Sequence, residues 1–251
     1  MTKRTFSTPF RRLYLFRFVF RCVVFAASVL LYVRSPQPLT ALQGFGFFHS
    51  FTLLHLLWLL WMADMVSQLC RCRWYWPEGS QKFLDRSVLP PQSADDRAAL
   101  RHYVRANNRR AAVMGAAWLA VTLAVGALYL GGCIDAGMIL LICEFFYVCD
   151  VFCVVFWCPF RAWFLKNRCC TTCRVFNWDH LMMFAPLVFI PGFFTWTLFF
   201  LALAVFLTWE ITFVRHPERF WEKTNPALRC ANCTDRLCGR PAPDAAHSGR
   251  A

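Results

Sequence analysis

The chain has 251 residues, 58% of them hydrophobic and 16% charged, with a mean hydropathy of +0.42 and a formal charge of +13. That balance is too apolar for a water-soluble or disordered chain and describes a membrane protein. The positive charge would suit nucleic acid, but no RNA- or DNA-binding motif accompanies it, and no nucleic-acid partner is expected.

Apolar stretches near the roughly 20 residues that cross a ~30 Å hydrocarbon core recur along the sequence. The first covers residues 13–33. Basic residues precede it as in a secretory signal, yet no small-x-small cleavage site follows in LLYVRSPQPL, so it is expected to stay as a helix. Residues 45–66 form the second, 111–130 the third and 138–157 the fourth. Residues 178–214 are too long for one crossing and are interrupted by Pro191-Gly192, which predicts two short helices joined by a turn. The expected fold is an all-α, polytopic domain of about six transmembrane helices over residues 1–240, with a disordered tail at 241–251.

Charge sets the orientation. Of 27 Lys and Arg residues, 24 fall in the N-terminal arm, the 67–110 loop, the 158–177 loop and the tail, all on one side of a six-crossing chain. Arg17 and Arg21 lie early in the first span, where long side chains can snorkel to headgroups. By the positive-inside rule both termini are cytoplasmic, which in a bacterium means the inner membrane. Within the 67–110 loop, Ser93 and Asp96 make a capping-box-like helix start, and Arg97, Arg101, Arg105 and Arg109 recur on one face. That stripe suits the phosphates of anionic lipids, or a solvated helix face.

Two cysteine clusters then share the cytoplasmic side: NRCCTTCR, with Cys169, Cys170 and Cys173, and CANCTDRLC, with Cys230, Cys233 and Cys238. A reducing cytosol disfavours structural disulfides, so paired CxxC motifs point to metal or redox chemistry. Two such knuckles can complete a tetrahedron of thiolates, and Cys170, Cys173, Cys230 and Cys233 are the expected ligands of a zinc ion. Cys169, Cys238 and Cys158 are spare thiols that would also serve an iron–sulfur cluster. Cys22, Cys143, Cys149 and Cys153 lie within predicted helices and read as core residues. Asp179 and His180 read as support for the cysteine site or as a helix-start pair.

Ionisable residues inside the bilayer are costly and therefore informative. Glu144 and Asp150 flank Tyr147 at steps of three in the fourth span, and with Asp64, His49 and His55 of the second they could line a proton or cation path. The plainer reading is that they bond to neighbouring helices. A bis-His haem is not expected, because His49, His55 and His180 do not share a depth. No P-loop, GxGxxG, HExxH or GxSxG signature occurs, so no catalytic residue is assigned.

The segment CVVFWCPF, residues 153–160, resembles the cysteine-proline ends of membrane-bound polyferredoxins, without their repeated cysteine pattern. The blocks RCCTTCRVFNWDHLMMFAPLVF and RHPERFWEKTNPALRCANC resemble a group of uncharacterised bacterial multi-pass membrane proteins. That resemblance implies membrane placement and brings no activity with it. Three functions are compatible with these features: an assembly protein clipped by zinc, an iron–sulfur or dithiol protein passing electrons to a membrane partner, and a transporter that uses the buried acids.

Overall fold

A computed structural model describes residues 9–35, 44, 51–70, 82–84, 87–233 and 237. Cys238, His49 and the 241–251 tail lie outside the described residues. The main α-helices are α1 (Pro9–Arg34), α2 (Leu53–Cys70), α3 (Ala94–Leu130), α4 (Ala136–Val155), α5 (Asp179–Phe184) and α6 (Phe193–Arg215). No β-strand occurs among the described residues beyond one isolated bridge between Gly44 and Gly192. Helices α1, α3, α4 and α6 are long and apolar enough to cross a membrane, and α2 is a shorter apolar helix. The chain is accordingly an all-helical membrane protein.

Local chemistry explains the helix ends. Ser93 caps α3 by accepting from Asp96 N–H at 2.9 Å, the cap its spacing predicts, and its hydroxyl donates to the Asp96 carboxylate at 2.7 Å. The turn after α3 uses Gly132 at φ 72, a left-handed value that costs glycine nothing. Asp135 then opens α4 by accepting from Met138 N–H at 2.8 Å, and its other oxygen accepts from Tyr32 of α1.

The 178–214 tract differs from the expected pair of helices. Helix α5 is only six residues long and passes into a 3-10 turn at Ala185–Phe189, and only then does the 23-residue α6 begin. Pro186, within that turn, explains the break: it has no N–H to continue the ladder, and its ring crowds the preceding turn. This broken segment runs beside α3 from Gly115, which faces the Trp178 ring, to Gly126, which faces Phe189. That is about 17 Å of helix at 1.5 Å per residue. Irregular backbone at such depth is tolerated only inside protein, and Phe184, Leu187 and Ile190 are fully buried.

The core lies where this segment meets α2, α4 and α6, around Trp61, Met65, Leu140, Phe184, Phe194 and Leu198. Lipid gives helices little hydrophobic reason to associate, so close packing carries the assembly. Gly126→Ala tests this, because a Cβ there would overlap the Phe189 ring. The expected loss is about 1–3 kcal/mol in mixed-micelle unfolding. An unchanged midpoint would show that Phe189 can move aside.

Beyond α6 the tail folds back on the loop before α3. Buried Asn225 donates to the carbonyls of Lys82 and Arg219 at 2.8 and 2.7 Å and accepts from Ala227 N–H. Phe83 stacks on Phe220 with centroids 4.5 Å apart.

Candidate functional site

The chain between α4 and α5 is wound so that several cysteines border one cavity. After α4 ends, Cys158-Pro159 leads into a π-helical turn, Phe160–Leu165, closed by Lys166 at φ 50. Proline opens that turn without needing a donor, which leaves the N–H groups of Phe160 and Arg161 pointing back at the Cys158 sulfur; Arg161 N lies 3.4 Å from Sγ. Cys153, from the last turns of α4, and Cys170 stand with Cys158 on the wall of one cavity. These neighbouring thiols and the two N–H groups hold the Cys158 thiol well below the ordinary thiol range against the opposing effect of burial. Cys170 is raised in turn, by the neighbouring Cys158 and by burial. Burial pushes Cys173 up to about 12. Cys158 is thus the most acidic thiol of the group, whereas burial disfavours ionisation of Cys170 and Cys173.

A lowered value means that the thiolate persists as pH falls. N-ethylmaleimide labelling of Cys158 should therefore stay nearly level between about pH 8 and pH 6, whereas an ordinary thiol loses about tenfold per unit. A tenfold fall per unit at Cys158 would contradict the assignment.

These cysteines line a cavity of about 340 Å³, together with Cys149, Asp150, Asp179 and the thioethers of Met114, Met182 and Met183. Phe145, Phe152 and Trp157 border it and are well exposed on the apolar face of the bundle, so the cavity adjoins the lipid side. The loop is fixed from the opposite direction. Arg174 donates to Glu210 of α6 at 2.7 Å, to Asn108 of α3, and lies over the Phe213 ring, while Trp178 Nε1 donates to the other Glu210 oxygen at 2.8 Å.

Beside the thiols runs a buried charged network. Arg21 of α1, only 8% exposed, donates to Asp150 Oδ2 and to the Tyr147 carbonyl, both at 2.7 Å, and its guanidinium lies 3.6 Å above the Tyr147 ring. Its second terminal nitrogen is 3.7 Å from Asp64 of α2, and Asp64 in turn meets His180 Nε2 of α5 at 3.3 Å. Gln68 Nε2 and Asp179 Oδ1 both stand 3.1 Å from His180 Nδ1. One network thus ties α1, α2, α4 and α5 together.

Several expected residues fall into place differently. Asp64 and Asp150 do converge, but on Arg21, which the sequence reading had sent out to the headgroups. Position gave the missed signal: Arg21 lies at the middle of α1, far past its first turn, while Asp64 and Asp150 lie in the last two turns of α2 and α4. His55 is not in this group, since it sits at the start of α2 and its Nδ1 accepts from Thr52 N–H at 3.0 Å. Glu144 is buried and accepts from the Ser28 hydroxyl of α1 at 2.8 Å, and its other oxygen has no partner among the described residues. His180 belongs to the charged network, and Asp179 borders the thiol cavity. Cys143 is a fully buried core residue, as expected, whereas Cys153, read as core, lines the thiol cavity.

The two CxxC motifs adopt the same local form. Cys170–Thr172 and Cys230–Asn232 are single 3-10 turns, each closed by a bond from the second cysteine N–H to the first cysteine carbonyl, at 3.0 and 3.2 Å. Cys169 Sγ is 3.2 Å from Thr171 Oγ1, and Lys82 Nζ is 3.8 Å from Cys233 Sγ. Among the described residues no group of three or more His, Cys, Asp or Glu is placed to hold a metal ion, so the four sulfurs do not form a ligand cage here. Arg97, Arg101, Arg105 and Arg109 are all exposed along α3.

No protein-family model matches the chain, and no curated protein or solved structure does either.

Proposed function

We propose that this is a thiol redox protein of a bacterial inner membrane, with six crossings and both termini cytoplasmic, that passes electrons from a cytosolic dithiol to a quinone-class acceptor in the bilayer. The observation that carries the reading is the placement of Cys153, Cys158, Cys170 and Cys173 on the wall of one cavity adjoining the lipid side, with Arg161 N–H donating to the Cys158 sulfur at 3.4 Å. The five long or apolar helices, the broken α5 segment and the placement of the basic loops support the topology.

The step balances as follows. The Cys158 thiolate and the Cys170 thiol join in one S–S bond, releasing two electrons and one proton. The quinone takes two electrons and two protons to become the quinol, the second proton coming from cytosolic water. A cytosolic dithiol then exchanges with the disulfide, leaving as its own disulfide and returning the thiolate, the thiol and one proton. The net reaction is dithiol plus quinone to disulfide plus quinol. A reduced sample in lipid nanodiscs, mixed with a short-tailed quinone, should form one quinol per chain in a single turnover. Quinol formation no faster than in empty nanodiscs would remove this reading.

A second reading keeps the zinc clip, because the two CxxC motifs share one turn geometry suited to paired thiolates. Metal analysis separates the two: about one zinc per chain, lost on Cys233→Ser, would favour the clip, and iron with visible absorption would favour a cluster. The transport reading has less support, since Arg21 neutralises Asp150 and Asp64 within the bundle.

A further inference from the structure

The loop that carries Cys170 also walls a second cavity, and its character is opposite. This one is polar, about 550 Å³, and lies between the extended base of α3, residues 165–172 and the tail at 220–228. His102, Arg110, Lys166, Arg168 and Lys223 line it, with Glu222 as the single carboxylate. Four fixed positive charges around one acid repel one another, and among the described residues none of the four is ion-paired. Such an arrangement costs stability unless a counter-ion joins it.

Its walls are built rather than loose. Arg110 donates to the Leu165 carbonyl at 3.2 Å, Tyr103 donates to the Phe220 carbonyl at 2.6 Å, and Asn167 donates to the Thr172 carbonyl at 3.1 Å. Lys166 is the only non-glycine residue at positive φ among those described. Its left-handed conformation is that of a helix cap, closing the Phe160–Leu165 turn with a bond to the Arg161 carbonyl. Here it puts a cationic residue on the cavity wall, between Arg110 and Arg168.

From this geometry we infer that the cavity binds a phosphate-bearing anion. Guanidinium and ammonium groups converging on one polar space suit phosphate oxygens, and the volume admits a phosphate with the group esterified to it. The phosphate could belong to a soluble cytosolic compound or to the headgroup of an anionic lipid, since the base of α3 leads directly into its apolar stretch. The inference is independent of the redox reading.

The test uses the full chain in two arms. In detergent, binding of inorganic phosphate and pyrophosphate is followed by calorimetry and ³¹P line broadening. In nanodiscs, native mass spectrometry follows retention of phosphatidylglycerol over phosphatidylcholine. Lys166→Gly/Lys223→Ala is the variant, because glycine keeps the left-handed backbone while the charge is lost. Arg97→Ala/Arg101→Ala, on the face of α3 outside the cavity, is the control. Binding of phosphate that weakens roughly tenfold or more in the variant and holds in the control supports a soluble ligand. No phosphate binding, with phosphatidylglycerol retained by the native chain and lost from the variant, supports a lipid headgroup. Neither ligand bound, or either bound equally by the variant, overturns the inference.

Discussion

Arg21→Met is expected to destabilise the bundle by about 3–5 kcal/mol, the largest effect of any single side chain on its stability. The arginine serves Asp150, Asp64, the Tyr147 carbonyl and the Tyr147 ring together, and without it Asp150 loses its cation and Asp64 keeps only His180. Arg21→Lys should recover little, because one ammonium cannot serve those partners in the planar geometry of a guanidinium. Arg21→Met/Asp150→Leu should recover part of the loss. Asp64 would still have His180, whereas Asp150 would no longer be charged. Mixed-micelle unfolding of the three variants measures this. A loss below about 1 kcal/mol for Arg21→Met would mean that water reaches these charges and that the network is a surface feature.

Cys158→Ser should lower quinol formation by more than about 10³-fold, since a serine hydroxyl neither ionises at neutral pH nor forms a disulfide. Cys153→Ser should cost far less, because Cys153 lines the cavity without being a partner in the proposed disulfide. Cys233→Ser should leave the rate unchanged, as Cys233 stands beside Lys82 and not with the thiol group. The zinc clip predicts a different order, with Cys233→Ser losing both metal and fold. A Cys158→Ser variant as fast as the native chain would remove Cys158 from the chemistry.

Much of the architecture was legible in the sequence because membrane helices announce themselves by length and hydropathy, and because the Ser93 and Asp96 pair is a local signal that works without tertiary help. The 178–214 tract was misread at Pro186. An apolar count registers the proline only as one residue, whereas the backbone registers a missing donor, and so one expected helix became a six-residue helix and a 3-10 turn. The site was legible in its ingredients and not in its pairing. Spacing finds two CxxC knuckles, but it does not show that Cys158 lines the same cavity as Cys170, where a proline-initiated turn brings it. Arg21 was missed for a similar reason: an arginine two turns inside the expected span can stretch toward the headgroups or turn inward, and only the acids on α2 and α4 decide which.

The central claim is that Cys158 and Cys170 are a redox pair. The most direct measurement is differential alkylation with peptide mapping on the protein in nanodiscs, poised across a series of glutathione ratios. The account predicts a disulfide between Cys158 and Cys170 that appears as a single two-electron transition, with Cys230 and Cys233 still alkylated as free thiols at the same poise. Cys158 remaining a free thiol at every poise, or a first disulfide that joins Cys173 to Cys230 or Cys233, would contradict it.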